Sequence, residues 1–87
     1  MDARALVARN IRRLRVARLL SQEALAIEAG IDRTYVSRLE RGLENPTVAV
    51  LERLSKALAA PITELFVVPK PREKPPATLP SGRKKAS

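Results

Sequence analysis

The sequence predicts an all-α domain of five short helices over residues 1–68, followed by a disordered basic tail over residues 69–87. Three observations carry that prediction. Before residue 68 no stretch alternates apolar and polar residues with period two, whereas apolar residues recur at three- and four-residue spacing. Small polar residues open these segments and Gly or Pro closes them, as at helix ends. After Val68 the composition breaks: "PKPREKPPATLPSGRKKAS" holds five of the seven prolines and one large aliphatic residue, Leu79. That is too little apolar surface to offset the entropy lost on ordering.

The first helix is expected over residues 3–19. Leu6, Val7, Ile11, Leu14 and Ala17 form its stripe, and Arg9, Arg12, Arg13, Arg15 and Arg18 lie mostly elsewhere on the wheel. Ser21 suits the N-cap of a second helix, because its hydroxyl accepts from an otherwise unpaired backbone N–H. Leu20 and Leu25 then hold the two positions of a hydrophobic staple. Gly30 ends that helix, since Gly accepts the left-handed backbone of a helix C-terminus. Asp32 caps a third helix in the same way, Ile31 and Val36 hold its staple positions, and Gly42 ends it. "ENPTV" follows as a loop, where Asn45-Pro46 favours extended or turn backbone. Thr47 caps a fourth helix with Val50, Leu51, Leu54, Ala57 and Leu58 inward. Pro61 breaks it and opens a short fifth helix, "ITELFVV".

Composition restricts the chemistry. The chain has neither Cys nor His. A disulfide framework, a zinc site, a His general base and a Ser-His-Asp triad are therefore excluded. With no phosphate loop and no evident carboxylate pair in a pocket, neither an enzyme nor a cofactor is expected. No apolar run approaches the ~18 residues of a membrane span, and the N-terminus lacks a signal-peptide pattern. A cytoplasmic protein without membrane attachment is expected. The net charge is +8, divided as +3 over residues 1–68 and +5 over residues 69–87. So basic a chain points to a polyanionic partner, nucleic acid first and an anionic membrane surface second. The tail either adds phosphate affinity without sequence information or serves as a solubilising extension.

The third helix carries the functional signal. Arg33, Ser37, Arg41, Thr34 and Arg38 fill an arc of about 140° at helical pitch. Val36 and Leu39 lie opposite, Glu40 sits beside that apolar edge, and Tyr35 falls just off the polar arc. The arc suits a polyanion with readable edges. Arg bonds guanine bidentately, and Thr combines a hydroxyl contact with methyl packing on thymine. The helix N-terminus adds attraction for phosphate. Gln22, opening the second helix, brings backbone N–H groups and an amide suited to a phosphate. Between the two helices, small Ala26, Gly30 four residues on, inward Ile31, and the pair Val36 and Leu39 form the pattern of a helix-turn-helix.

The stretch "IRRLRVARLLSQEALAIEAGIDRTYVSRLERGLENPTVAVLERLSKAL" resembles the Cro/C1-type (XRE) helix-turn-helix family of prokaryotic and phage regulators, over about residues 10–66. "DRTYVSRLERG" is especially similar to the recognition helix of restriction–modification controller proteins. The resemblance implies a compact, lambda-repressor-like DNA-binding domain. It implies a sequence-specific transcriptional regulator binding a palindromic operator in double-stranded DNA as a homodimer, with residues 33–41 in the major groove. Arg33, Thr34, Ser37 and Arg38 fall on the groove-facing positions. Gln22 matches the phosphate-anchoring glutamine, and Arg41 is placed at phosphate. Asn45 lies in the loop that commonly contacts the DNA backbone. Tyr35 resembles a tyrosine that reaches DNA, with packing over the domain edge as the other reading. Arg15 and Glu40 match a pair that forms a buried salt bridge between the first and third helices. Leu65, Phe66, Val67 and Val68 are too apolar for water and form the candidate dimer interface, Leu65 turned inward and Phe66 or Val68 shared with the partner. Two other readings share the fold: the antitoxin of a toxin–antitoxin pair, with the tail ordering on a partner protein, and a protein-binding, coactivator-like adaptor.

Overall fold

The computed structural model describes residues 2–70 and 74–76. Among the described residues there are four α-helices and no strand: α1 (Ala3–Ala17), α2 (Gln22–Ala29), α3 (Arg33–Glu40) and α4 (Val48–Ala57), followed by one 3-10 helix, Ile62–Phe66. The expected fifth helix is this 3-10 turn, in which Glu64 N donates to Pro61 O at 2.9 Å. So short a segment cannot repay the cost of nucleating an α-helix, whereas a 3-10 turn suits it. The tail expected to be disordered lies mostly outside the described residues.

The helix starts follow the capping chemistry. Ser21 accepts from Ala24 N at 2.9 Å, Asp32 from Thr34 N at 2.9 Å and Thr47 from Val50 N at 3.1 Å. Asp2 caps α1 likewise, from Ala5 N at 2.8 Å, an element the sequence reading did not assign. Each such cap contributes about 1 kcal/mol. The helix ends divide into two kinds. Gly30 and Gly42 take left-handed backbone, at φ 71° and 74°. So do Leu19 and Ala59, at φ 59° and 54°, at a cost of roughly 1–2 kcal/mol each for a residue with a Cβ. The return of the chain at Leu19 ends α1 at Ala17, short of the expected residue 19, and Leu20 N closes the turn on Arg15 O at 3.1 Å.

Behind these helices lies one core. Ile11, Leu25, Val36, Leu39, Leu54, Leu58 and Leu65 are its largest fully buried apolar side chains, and each contributes about 1.5–3 kcal/mol on leaving water. α2 packs on α3 and α4, and α1 packs on α3 and the 3-10 turn. Leu65 belongs to this core, fully buried within the single chain. Of the candidate interface residues it therefore offers nothing to a partner, and the exposed apolar surface there is Phe66, Val67 and Val68. The pattern of a short turn explains the split: Leu65 points into the core and its chain neighbours point out.

Buried polar groups fix the 3-10 turn in place. Asn10, 1% exposed, directs its amide nitrogen to Leu6 O at 3.1 Å, Leu65 O at 3.0 Å and Val67 O at 3.0 Å. Arg13 donates to Asn10 Oδ1 at 3.1 Å and to Glu64 O at 3.0 Å. These bonds satisfy carbonyls that the end of a short turn would leave unpaired. No helix among the described residues is long and apolar enough to cross a membrane.

Candidate nucleic-acid interface

α3 is inserted into the core by one edge only. Val36, Leu39 and Glu40 are buried. Arg33, Thr34 and Arg38 are exposed along the helix, Arg41 is exposed just past its end, and Ser37 and Tyr35 are half-buried. Ala26, only 2% exposed, lets α2 approach closely, and Ile31 N closes the turn on Ala26 O at 3.0 Å. The result is a helix held from behind, with a cationic and hydroxyl-bearing side turned to solvent.

What holds it is a buried charge cluster. Glu40, its side chain wholly buried, accepts from Arg15 Nε at 2.6 Å and Arg15 Nη2 at 3.0 Å. Gln22 Nε2 donates to the same carboxylate at 3.1 Å, and Arg12 Nε lies 3.4 Å from it. Arg15 Nη1 donates onward to Leu20 O at 2.9 Å. One carboxylate thus ties α1, α2 and α3 together. Gln22, half-buried, has its amide nitrogen on Glu40 in this structure, while it stands at the start of α2.

The outward side is also ordered. Arg38 Nε donates to Glu44 Oε2 at 2.7 Å, and Arg38 Nη2 donates to Leu43 O at 3.4 Å. Tyr35 packs against the core. Burial, and after it the negative charge of Glu44, push its phenol above the ordinary tyrosine range. Asn45 is exposed and borders a shallow depression with Ala3, Arg4, Pro46 and Phe66. Arg41 borders a second one with Arg9, Arg12, Pro75 and Pro76.

The structure thus brings Arg33, Thr34, Ser37, Arg38 and Tyr35 together on α3, with Gln22 linked to that helix through Glu40. Asn45 stands apart in the loop before α4. Sequence reasoning missed Glu44. Its signal was an acidic residue six positions after Arg38, across the left-handed Gly42, a spacing no helical wheel displays.

Comparison with known proteins agrees with this architecture. The helix-turn-helix family HTH_3 matches residues 11–65. The chain is 45% identical over 65 residues to the uncharacterised HTH-type transcriptional regulator y4dJ of Sinorhizobium fredii, covering 75% of this chain and 84% of that protein. Among solved structures it is similar to the restriction–modification controller protein C.AhdI of Aeromonas hydrophila, with 40% identity, a TM-score of 0.71, and 72% and 96% of the two chains covered. It is also similar to the controller protein C.Esp1396I, solved as a tetramer in complex with its natural 35 base-pair operator, with 32% identity, a TM-score of 0.70, and 76% and 87% covered. With more than half of its length matched, the chain belongs to the XRE-type helix-turn-helix family of DNA-binding transcriptional regulators.

Proposed function

We propose that this regulator acts as a homodimer on a palindromic operator, at the nucleoid in the cytoplasm, with α3 of each protomer in the major groove. Arg33, Thr34, Ser37 and Arg38 read base edges. Gln22 and Arg41 hold phosphates, Asn45 meets the DNA backbone through its loop, and Tyr35 supports the helix or reaches the backbone from its flank. The observation that carries this reading is the exposure of Arg33, Thr34 and Arg38 opposite the buried Val36 and Leu39. C.Esp1396I supports it as a similar protein solved with its operator.

The reach of a single domain supports the two-fold arrangement. One such domain spans few base pairs, and a symmetric dimer matches two half-sites about one helical turn apart. Phe66, Val67 and Val68 are exposed apolar residues at consecutive positions, 44%, 40% and 75% accessible, and we assign Phe66 and Val68 to that dimer contact. The basic tail adds phosphate attraction, which steepens the salt dependence of binding.

Selection from random duplexes tests the reading. The wild-type chain is expected to enrich an inverted repeat. Arg33→Ala and Arg38→Ala should each lose about 1–3 kcal/mol on the selected duplex and relax the preference at particular base pairs. A uniform loss over all sequences would make both residues phosphate anchors, and enrichment of no sequence would refute specific binding.

A further inference from the structure

Arg38 is tethered on one edge and open on the other. Its Nε lies on Glu44 Oε2 at 2.7 Å and its Nη2 on Leu43 O at 3.4 Å. Among the described residues Nη1 has no hydrogen-bond acceptor, and Nη2 keeps a second hydrogen. Those two nitrogens form the outer end of the guanidinium fork, the end that can meet guanine O6 and N7 together. The tether is itself anchored. Leu43 N donates to Arg38 O at 3.0 Å across Gly42, whose φ is 74°. Residues 43 and 44 therefore keep their place relative to the turn of α3 that carries Arg38. The Arg38 and Glu44 side chains are 47% and 26% exposed, and an ion pair that open to water contributes little to folding. Its consequence lies in where it points the guanidinium.

We propose that Glu44 is a positioning residue for base reading: it grips Arg38 by its Nε edge and so presents the Nη1–Nη2 edge to a guanine. The inference rests on α3 being the recognition helix. A long, four-torsion side chain ordered before binding loses less freedom on the DNA. The same carboxylate repels phosphates, so the loop after α3 discriminates against non-specific contact.

Binding is measured for the selected duplex, for its variants at the base pair where Arg38→Ala relaxes preference, and for a random duplex. Glu44→Ala should weaken binding to the selected duplex about 3- to 10-fold. It should flatten the preference at that one base pair and leave affinity for the random duplex equal or higher. Glu44→Gln keeps a carbonyl acceptor for Nε and should retain most of the preference. Both variants should melt with the wild type, which separates positioning from a structural role. The proposal is overturned if Glu44→Ala tightens selected and random duplexes by the same factor with preference intact, for then Glu44 merely competes with DNA for Arg38. If Arg38→Ala itself leaves every base preference unchanged, the recognition-helix reading fails, whatever Glu44 does.

Discussion

Glu40→Ala is expected to destabilise the domain by about 3–5 kcal/mol, measured as a lower urea midpoint at unchanged slope. The carboxylate is wholly buried, and Arg15 beside it has a side chain only 6% exposed. Removing Glu40 strands that guanidinium in the interior with one remaining protein acceptor, Leu20 O. Arg12 and Gln22, the other donors to Glu40, are half-buried and can turn to water. The penalty therefore comes mainly from Arg15. Small domains have about 5–15 kcal/mol in total, so a loss of this size leaves an appreciable unfolded fraction. The double variant Arg15→Met with Glu40→Leu should recover most of it, because an apolar pair of similar volume avoids both desolvation costs. A Glu40→Ala loss below about 1 kcal/mol would show that the cluster is solvated in the folded chain.

Leu65→Ala is expected to cost about 2–5 kcal/mol, the range for emptying a filled core position. Leu65 is fully buried, and its carbonyl is held by Asn10. Phe66, one residue on, is 44% exposed, and Phe66→Ala should cost the folded chain little while weakening self-association. Urea unfolding and sedimentation on both variants separate the two roles. The assignment fails if Leu65→Ala unfolds like the wild type, or if Phe66→Ala sediments as the wild type does at tens of micromolar.

This contrast shows where a sequence is legible. Apolarity marked residues 65–68 as a group that water would not hold, and the expectation that Leu65 turns inward agrees with its full burial. The 3-10 geometry was not legible, because a five-residue segment is too short to show a helical period. The caps at Ser21, Asp32 and Thr47 were legible because a hydroxyl or carboxylate before an apolar-periodic run has one local use. Gly30 and Gly42 were legible for the same kind of reason. Leu19 and Ala59 were not: their left-handed backbone accompanies the helix-end closures of Leu20 N on Arg15 O and Ala60 N on Ser55 O, and nothing about Leu or Ala announces it. The polar arc of α3 followed from helical geometry alone. The bonds from Asn10 to Leu65 and Val67, and from Arg38 to Glu44, lie outside any single helix, so no periodicity carries them. They depend on how the chain returns, which only the fold determines.

Nitrogen-15 spectra of the chain titrated with its selected duplex locate the DNA-binding surface. The expected result is large shifts at the amides of Arg33, Thr34, Ser37 and Gln22 and at the Nε groups of Arg33 and Arg38, with the exposed side of α4, at Glu52, Arg53 and Lys56, unmoved. Shifts confined to α4, with α3 unchanged at saturation, would contradict the assignment of α3 as the helix that meets DNA.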